Sequence, residues 1–284
     1  MSCLRAGVLC ALLTPGMTTV FAAPGQLREN IEYGQAGGIS LQMDAFVPKT
    51  PGPHPGIIIV HGGAWVRGDR RVDVQPLFRP LEDAGFAWFS ISYRLAKEAT
   101  QIGAGVQDVK QAVRYVREHA AEFDVDPDRI ALVGESAGAQ LASMAALSTD
   151  CNVRAVVAFY SPSDLVSLAK ESHFIPEGVR RQIRGTPWEA LVLAGLQELS
   201  PINHVRAGMP PFLLIHGTSD PLVPFEQSEH MCTAIRAAGG ECELYPVKGG
   251  GHGVRWWDSA HLTSYKQEMV RWLEKELATS VARA

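Results

Sequence analysis

Arg129-Ile130-Ala131-Leu132-Val133-Gly134-Glu135-Ser136-Ala137-Gly138-Ala139 sets a Gly-x-Ser-x-Gly motif between an apolar, β-branched run and an Ala-rich run with helical spacing. The order predicts strand, sharp turn, helix. A serine on such a turn carries its hydroxyl clear of the sheet edge, and the glycines two residues to either side let neighbouring backbone pass without a Cβ clash. In a chain with 27 glycines the motif alone arises by chance, so the flanking strand and helix are what give it meaning. Ser136 is therefore the candidate nucleophile.

A serine hydroxyl is a weak nucleophile at neutral pH, and it needs a base to take its proton and a third group to hold that base in one tautomer. Downstream, Pro211-Phe212-Leu213-Leu214-Ile215-His216-Gly217-Thr218-Ser219-Asp220 reads as a buried strand entering a polar turn that ends on a carboxylate, which makes Asp220 the candidate acid. Its rival is Asp164 in Ser161-Pro162-Ser163-Asp164, after the strand Ala155 to Tyr160; that residue equally suits the N-cap of the next helix. A short strand from Cys242 to Val247 leads into Lys248-Gly249-Gly250-Gly251-His252-Gly253, a glycine-rich loop that can fold His252 back over the end of the sheet as the base.

Upstream, Pro55-Gly56-Ile57-Ile58-Ile59-Val60-His61-Gly62-Gly63-Ala64-Trp65 is an apolar strand running into His-Gly-Gly. Such a loop supplies one backbone N–H of an oxyanion hole, here from Gly63 or Ala64, and the residue after the nucleophile, Ala137, supplies the other. Each donor is typically worth about 3 kcal/mol. His61 is read as a structural hydrogen-bonding residue, and Trp65, Glu135 and Trp188 as candidate substrate contacts.

The motifs His61-Gly62-Gly63-Ala64-Trp65, Gly134-Glu135-Ser136-Ala137-Gly138, His216-Gly217-Thr218-Ser219-Asp220 and Gly251-His252-Gly253 occur in this order. Over residues 31–276 the chain resembles the α/β-hydrolases of the esterase/lipase group, and within it the small carboxylesterases that include the bifunctional feruloyl and acetylxylan esterases and the hormone-sensitive-lipase relatives. The resemblance implies an α/β-hydrolase fold and a serine carboxylic-ester hydrolase that passes through an acyl-enzyme, acts on small acyl, aryl or carbohydrate esters, and uses no cofactor. One departure is Ala64, where the hormone-sensitive-lipase group has a third glycine. His-Gly-Gly-x-Trp is also similar to the loop of kynurenine formamidases, which keeps an arylformamidase or other amide hydrolase as an alternative. A hydrolase-fold binding protein, in which a triad member is lost, is the non-enzyme alternative; here all three members are present.

The wider pattern agrees. Strand-like runs alternate with amphipathic helices, predicting an α/β architecture with a mostly parallel central sheet and helices on both faces. Ile39 to Val47 and Phe86 to Tyr93 read as strands, and Val106 to Phe123 as a helix that Asp126-Pro127-Asp128 separates from the nucleophile strand. After Asp164 an irregular helical stretch, about residues 165–205 and including Phe174, Ile175, Pro176, Trp188 and Leu191, predicts a small cap inserted over the site. With 46% hydrophobic residues in 284, one catalytic domain over 23–284 is the economical count. A net charge of −4 without a Lys/Arg block argues against nucleic acid as a partner and for a small-molecule ester. No Cys/His set has metal-ligand spacing, so no metal is expected. Oligomeric state is left open.

Residues 1–22 read as a signal peptide, with Arg5, an apolar stretch Ala6 to Leu13, and Val20-Phe21-Ala22 before a cut at Ala23. That stretch is too short to span a bilayer, so the mature chain is expected to be secreted or periplasmic, without membrane insertion. Of the 5 Cys, Cys232 falls late in a helix and Cys242 opens the next strand, and an oxidising compartment would let the pair bridge.

Overall fold

A computed structural model describes residues 25–98, 101–171 and 185–278. The expected signal peptide, residues Phe174, Ile175 and Pro176 of the expected cap, and the side chain of Trp188 lie outside that description. Within it, the strands β1 (Gly25–Ala36), β2 (Ile39–Pro48), β3 (His54–Val60), β4 (Ala87–Ile91), β5 (Val125–Glu135), β6 (Ala155–Phe159), β7 (Phe212–Gly217) and β8 (Cys242–Val247) form one sheet. Their order is β1-β2-β4-β3-β5-β6-β7-β8. The pairs β1/β2 and β2/β4 are antiparallel and every other pair is parallel.

Parallel strands covered on both faces must be apolar at successive positions, and β3 shows why. Ile58 and Val60 pack into one core with the helices Ile102–Glu118, Ala137–Leu147 and Glu226–Ala237. Ile57 and Ile59 pack into the other, against Gln75–Asp83, Val254–Ser259 and Ser264–Glu276. Two expectations differ in detail. The helix expected from Val106 runs from Ile102 to Glu118, and Asp126-Pro127-Asp128 is taken into β5 instead of separating it from the helix. The triplet is accommodated where the β3/β5 register shifts, between His54 and Gly56, so its proline disturbs no regular ladder. β1, a long partner for β2 at the sheet edge, had no counterpart in the sequence reading.

Between β6 and β7 the chain leaves the sheet through the helices Leu165–Glu171 and Pro187–Glu198 and a 3-10 turn, Pro201–His204. Two buried glutamines tie this excursion down. Gln227 accepts the Ser163 and Asp164 N–H groups at 2.9 and 2.7 Å and donates to Asp164 O and Ser167 Oγ, holding the departing end. Gln140 donates to Leu199 O at 2.7 Å and holds the returning end.

Candidate active site

The turn between β5 and the helix Ala137–Leu147 consists of one residue. Ser136 has φ 51° and ψ −121°, a conformation that non-glycine residues adopt at a cost of about 1–3 kcal/mol and that persists only where the surroundings hold it. Here its N–H donates to Phe159 O at 2.9 Å, and its carbonyl accepts the Gln140 N–H at 3.1 Å. Gly138 lets the helix approach the end of β3, since a Cβ there would stand 2.3 Å from the carbonyl oxygens of Val60 and His61. That approach sets the His61-Gly62-Gly63 loop beside the serine.

The loop is wound through three successive positive φ angles, at Gly63 (107°), Ala64 (53°) and Trp65 (65°). Its carbonyls are engaged: Gly63 O accepts Val66 and Arg67 N–H, and the Tyr93 hydroxyl donates to both His61 O and Gly62 O. His61, stacked on Tyr93 with ring centroids 4.5 Å apart, donates through Nδ1 to Gly62 O. Its burial pulls the imidazole below the ordinary range, so it stays neutral and structural. Among the described residues nothing accepts a hydrogen bond from the N–H groups of Gly63, Ala64 or Ala137. All three line one cavity of about 690 Å³ together with Ser136 and His252.

His252 Nε2 lies 2.9 Å from Ser136 Oγ, and His252 Nδ1 lies 2.7 Å from Asp220 Oδ2. A carboxylate only accepts, so Nδ1 carries the proton and Nε2 presents its lone pair to the serine hydroxyl. The Asp220 side chain is fully buried; its Oδ1 accepts the Leu222 and Val223 N–H groups at 2.8 and 3.0 Å. Burial works against its charge, but hydrogen bonds from His216 and His252, the His252 charge and the Val223 N–H outweigh it and hold the carboxyl well below the usual range. Asp164, the rival acid, instead accepts Val166 and Ser167 N–H and caps the helix Leu165–Glu171.

Two residues expected to contact substrate are committed elsewhere, although both border the cavity. Glu135 accepts the Gly62 N–H at 3.2 Å and the hydroxyl of Tyr160, which itself accepts the Val254 N–H at 2.9 Å. Burial pushes its carboxyl up to about 7, with the Tyr160 and Gly62 hydrogen bonds pulling the other way. Glu135 thus joins the loop of Gly62 to the loop of His252. The Trp65 indole N–H donates to Gln140 Oε1 at 2.9 Å, which links the oxyanion-type loop to the serine helix and, through Gln140, to the end of the cap. Sequence reasoning assigned no role to Gln140, Tyr160, Gln227 or Ser228. Gln140 is one polar residue in an otherwise apolar stretch, a signal that a partner awaits it, whereas Gln227 and Ser228 stand among Glu226, Glu229 and His230 and Tyr160 precedes a polar turn, so nothing local marks them. The remaining wall is apolar at Val72, Leu168, Leu222 and Val223 and charged at Arg67, Asp69 and Asp73.

Cys232 and Cys242 are joined in a disulfide with Cα atoms 5.5 Å apart, and Cys151 is free and buried. Among the described residues there is no cluster of three metal-ligating side chains and no helix long and apolar enough to cross a membrane.

The sequence profile of the BD-FAE family matches residues 43–235, a span from β2 to the helix that carries Cys232. The chain belongs to the BD-FAE family. Its members' α/β-hydrolase fold is the one described above, and solved structures agree. A truncated carbohydrate esterase from gut microbiota superposes with a TM-score of 0.75 at 28% identity, over 91% of this chain and 98% of that one. A thermophilic esterase, Est2 of Thermogutta terrifontis, does so with a TM-score of 0.72 at 25% identity, over 88% and 92%. Among curated proteins, esterase LipQ of Mycobacterium tuberculosis is 33% identical over 270 residues, covering 87% of this chain and 61% of LipQ. The chain spans from 52% to 61% of the length of the curated mycobacterial relatives it matches.

Proposed function

We propose that this BD-FAE family protein is a serine carboxylic-ester hydrolase acting through an acyl-enzyme on small acyl, aryl or carbohydrate esters. The observation that carries the reading is the unbroken line Ser136 Oγ, His252 and Asp220 at 2.9 and 2.7 Å beside backbone N–H groups that no described residue engages. His252 Nε2 takes the Ser136 proton as Oγ attacks the ester carbonyl carbon. The carbonyl π pair moves onto oxygen, where the N–H groups of Ala137 and of Gly63 or Ala64 hold it. Collapse of the intermediate breaks the bond to the alcohol oxygen, and His252 returns the proton to that leaving group. Water then gives a proton to the same nitrogen as its oxygen attacks the acyl carbon; the bond to Ser136 Oγ breaks, His252 returns the proton to Oγ, and the acid leaves with the free enzyme restored. Asp220 keeps the imidazole in one tautomer and offsets its charge throughout. The esterase names of the relatives support this reading, and none of them specifies the ester here.

Short p-nitrophenyl esters assayed against aryl formamides test it. Turnover of the esters in preference to the formamides is expected, and a formamide preference would move the protein to amide hydrolysis. Ser136→Ala should lose on the order of 10³-fold or more in kcat while the melting temperature stays unchanged, because only a hydroxyl is removed. A folded Ser136→Ala protein with a tenth of the parent rate would reject the serine mechanism, and a parent that turns over neither class would favour a binding protein.

The proposal extends to location. Residues 1–22 are assigned as a cleaved signal peptide, and the mature chain to the periplasm or the exterior. The Cys232–Cys242 bridge supports this, as such bonds persist in oxidising compartments.

A further inference from the structure

Behind Asp220 lies a second imidazole with no step assigned to it. His216, in β7, is fully buried. Its Nε2 lies 2.9 Å from Val223 O and 3.5 Å from Asp220 Oδ2, and its Nδ1 lies 2.7 Å from Ser228 Oγ. The carbonyl of Val223 can only accept, so the ring proton sits on Nε2; Nδ1 is then a bare acceptor that takes the Ser228 hydroxyl proton. The tautomer of His216 is thus set by the Val223 carbonyl, much as that of His252 is set by Asp220, and the Ser228 hydroxyl holds the bare Nδ1 in place.

The consequence falls on one oxygen. Asp220 Oδ2 receives His252 Nδ1–H at 2.7 Å and faces the shared Nε2–H of His216 at 3.5 Å, while Oδ1 is held by the Leu222 and Val223 N–H groups. His216 also grips the carbonyl of Val223, which closes the turn whose N–H groups bind Oδ1. Phe225 covers the ring edge-on at 5.6 Å between centroids. We propose that His216, its ring anchored by Ser228 and its tautomer fixed by the Val223 carbonyl, is a positioning residue that locks the rotation of the Asp220 carboxylate so that Oδ2 aims at His252. This rests on the serine-hydrolase reading above. Ser228 and Gln227 are adjacent on the helix Glu226–Ala237, so one buried turn of that helix orients the acid while its neighbour residue anchors the cap.

The test compares Ser228→Ala, His216→Gln and His216→Leu, each in the parent and in the Asp220→Asn background. Ser228→Ala removes one hydroxyl and is the variant expected to disturb the fold least. It should lower kcat on the order of tenfold, the upper reach of one neutral hydrogen bond, with KM unchanged. In the Asp220→Asn background the same change should cost less than about twofold, because the carboxylate it served is gone. His216→Gln, which keeps an N–H donor, should retain more activity than His216→Leu. Equal losses in both backgrounds would reduce His216 to a packing residue and overturn the inference, as would an unchanged kcat in Ser228→Ala. A readout independent of turnover is the low-field proton resonance of His252 Nδ1–H, which should move or broaden in Ser228→Ala; a resonance identical to the parent's rejects the proposal. If the parent hydrolyses no ester, the hydrolase reading fails by itself, and the resonance still decides the role of His216.

Discussion

Asp220 and Asp164 each follow a buried strand and each begin a turn, and what separates them is the set of groups they accept. Asp164 Oδ1 takes two helix N–H groups, a task that asparagine also performs, so Asp164→Asn should leave kcat within about twofold. Asp220→Asn puts an amide where His252 requires an acceptor. The ring then turns its proton toward Ser136 and cannot act as base, and a kcat loss on the order of 10³- to 10⁴-fold is expected. Steady-state kinetics on both variants check the pair, and the reverse ranking would move the acid to Asp164. Glu135 carries a prediction about stability. Its folded-state value of about 7 stands above the ordinary 4.5, so between those pH values the folded protein keeps a proton that the unfolded chain has released. Stability from this group is therefore intact below pH 4.5 and falls as pH rises toward 7, by roughly 3 kcal/mol at 1.36 kcal/mol per unit. Glu135→Gln removes the titration, and its melting temperature between pH 5 and 8 should be flatter than the parent's. Parallel curves would show that the carboxyl is not protonated there.

At the scale of elements, the site is assembled by close approach of backbones and by buried amides that span elements. The cap hangs from two such amides, and Gln227 satisfies four hydrogen bonds at its root. Gln227→Ala leaves the buried Ser163 N–H and the partly buried Asp164 N–H without that partner, a loss of about 1–3 kcal/mol for the buried group and less for the other. Because those groups begin the cap, the damage should be local: limited proteolysis should cut within residues 165–205 sooner than in the parent, while global unfolding shifts less. Uniform protection along the chain would mean that the amide serves the core and not the cap.

For the whole molecule, the disulfide between the helix Glu226–Ala237 and β8 closes a separation of 10 residues, for which chain entropy gives roughly 2–3 kcal/mol. Reductant should lower the melting temperature by several degrees, and Cys232→Ser should lower it equally, with no added effect of reductant. N-terminal sequencing and intact mass of the protein from its native cell test export at the same time. A start near Ala23 and a mass lower by about 2 Da, the two hydrogens lost in forming one bridge, are expected; full-length chain with free thiols in the cytoplasm would end the export proposal.

What could be read from the chain alone was whatever is local. The strand, turn and helix around Ser136, the His-Gly-Gly loop and the glycine-rich approach to His252 are set by residue type and periodicity over a dozen positions, and the structure has them where the pattern places them. The partnerships are not local. Ser136 and His252 are 116 residues apart, and His252 and Asp220 are 32 apart, so the register of β5, β7 and β8 in one parallel sheet decides that these groups meet. The same holds for the choice of Asp220 over Asp164, for the turning of Glu135 inward to Gly62 and Tyr160, and for the amides of Gln140 and Gln227. A polar side chain announces in sequence that it needs a hydrogen bond; only the packed fold, by excluding water, decides which partner supplies it.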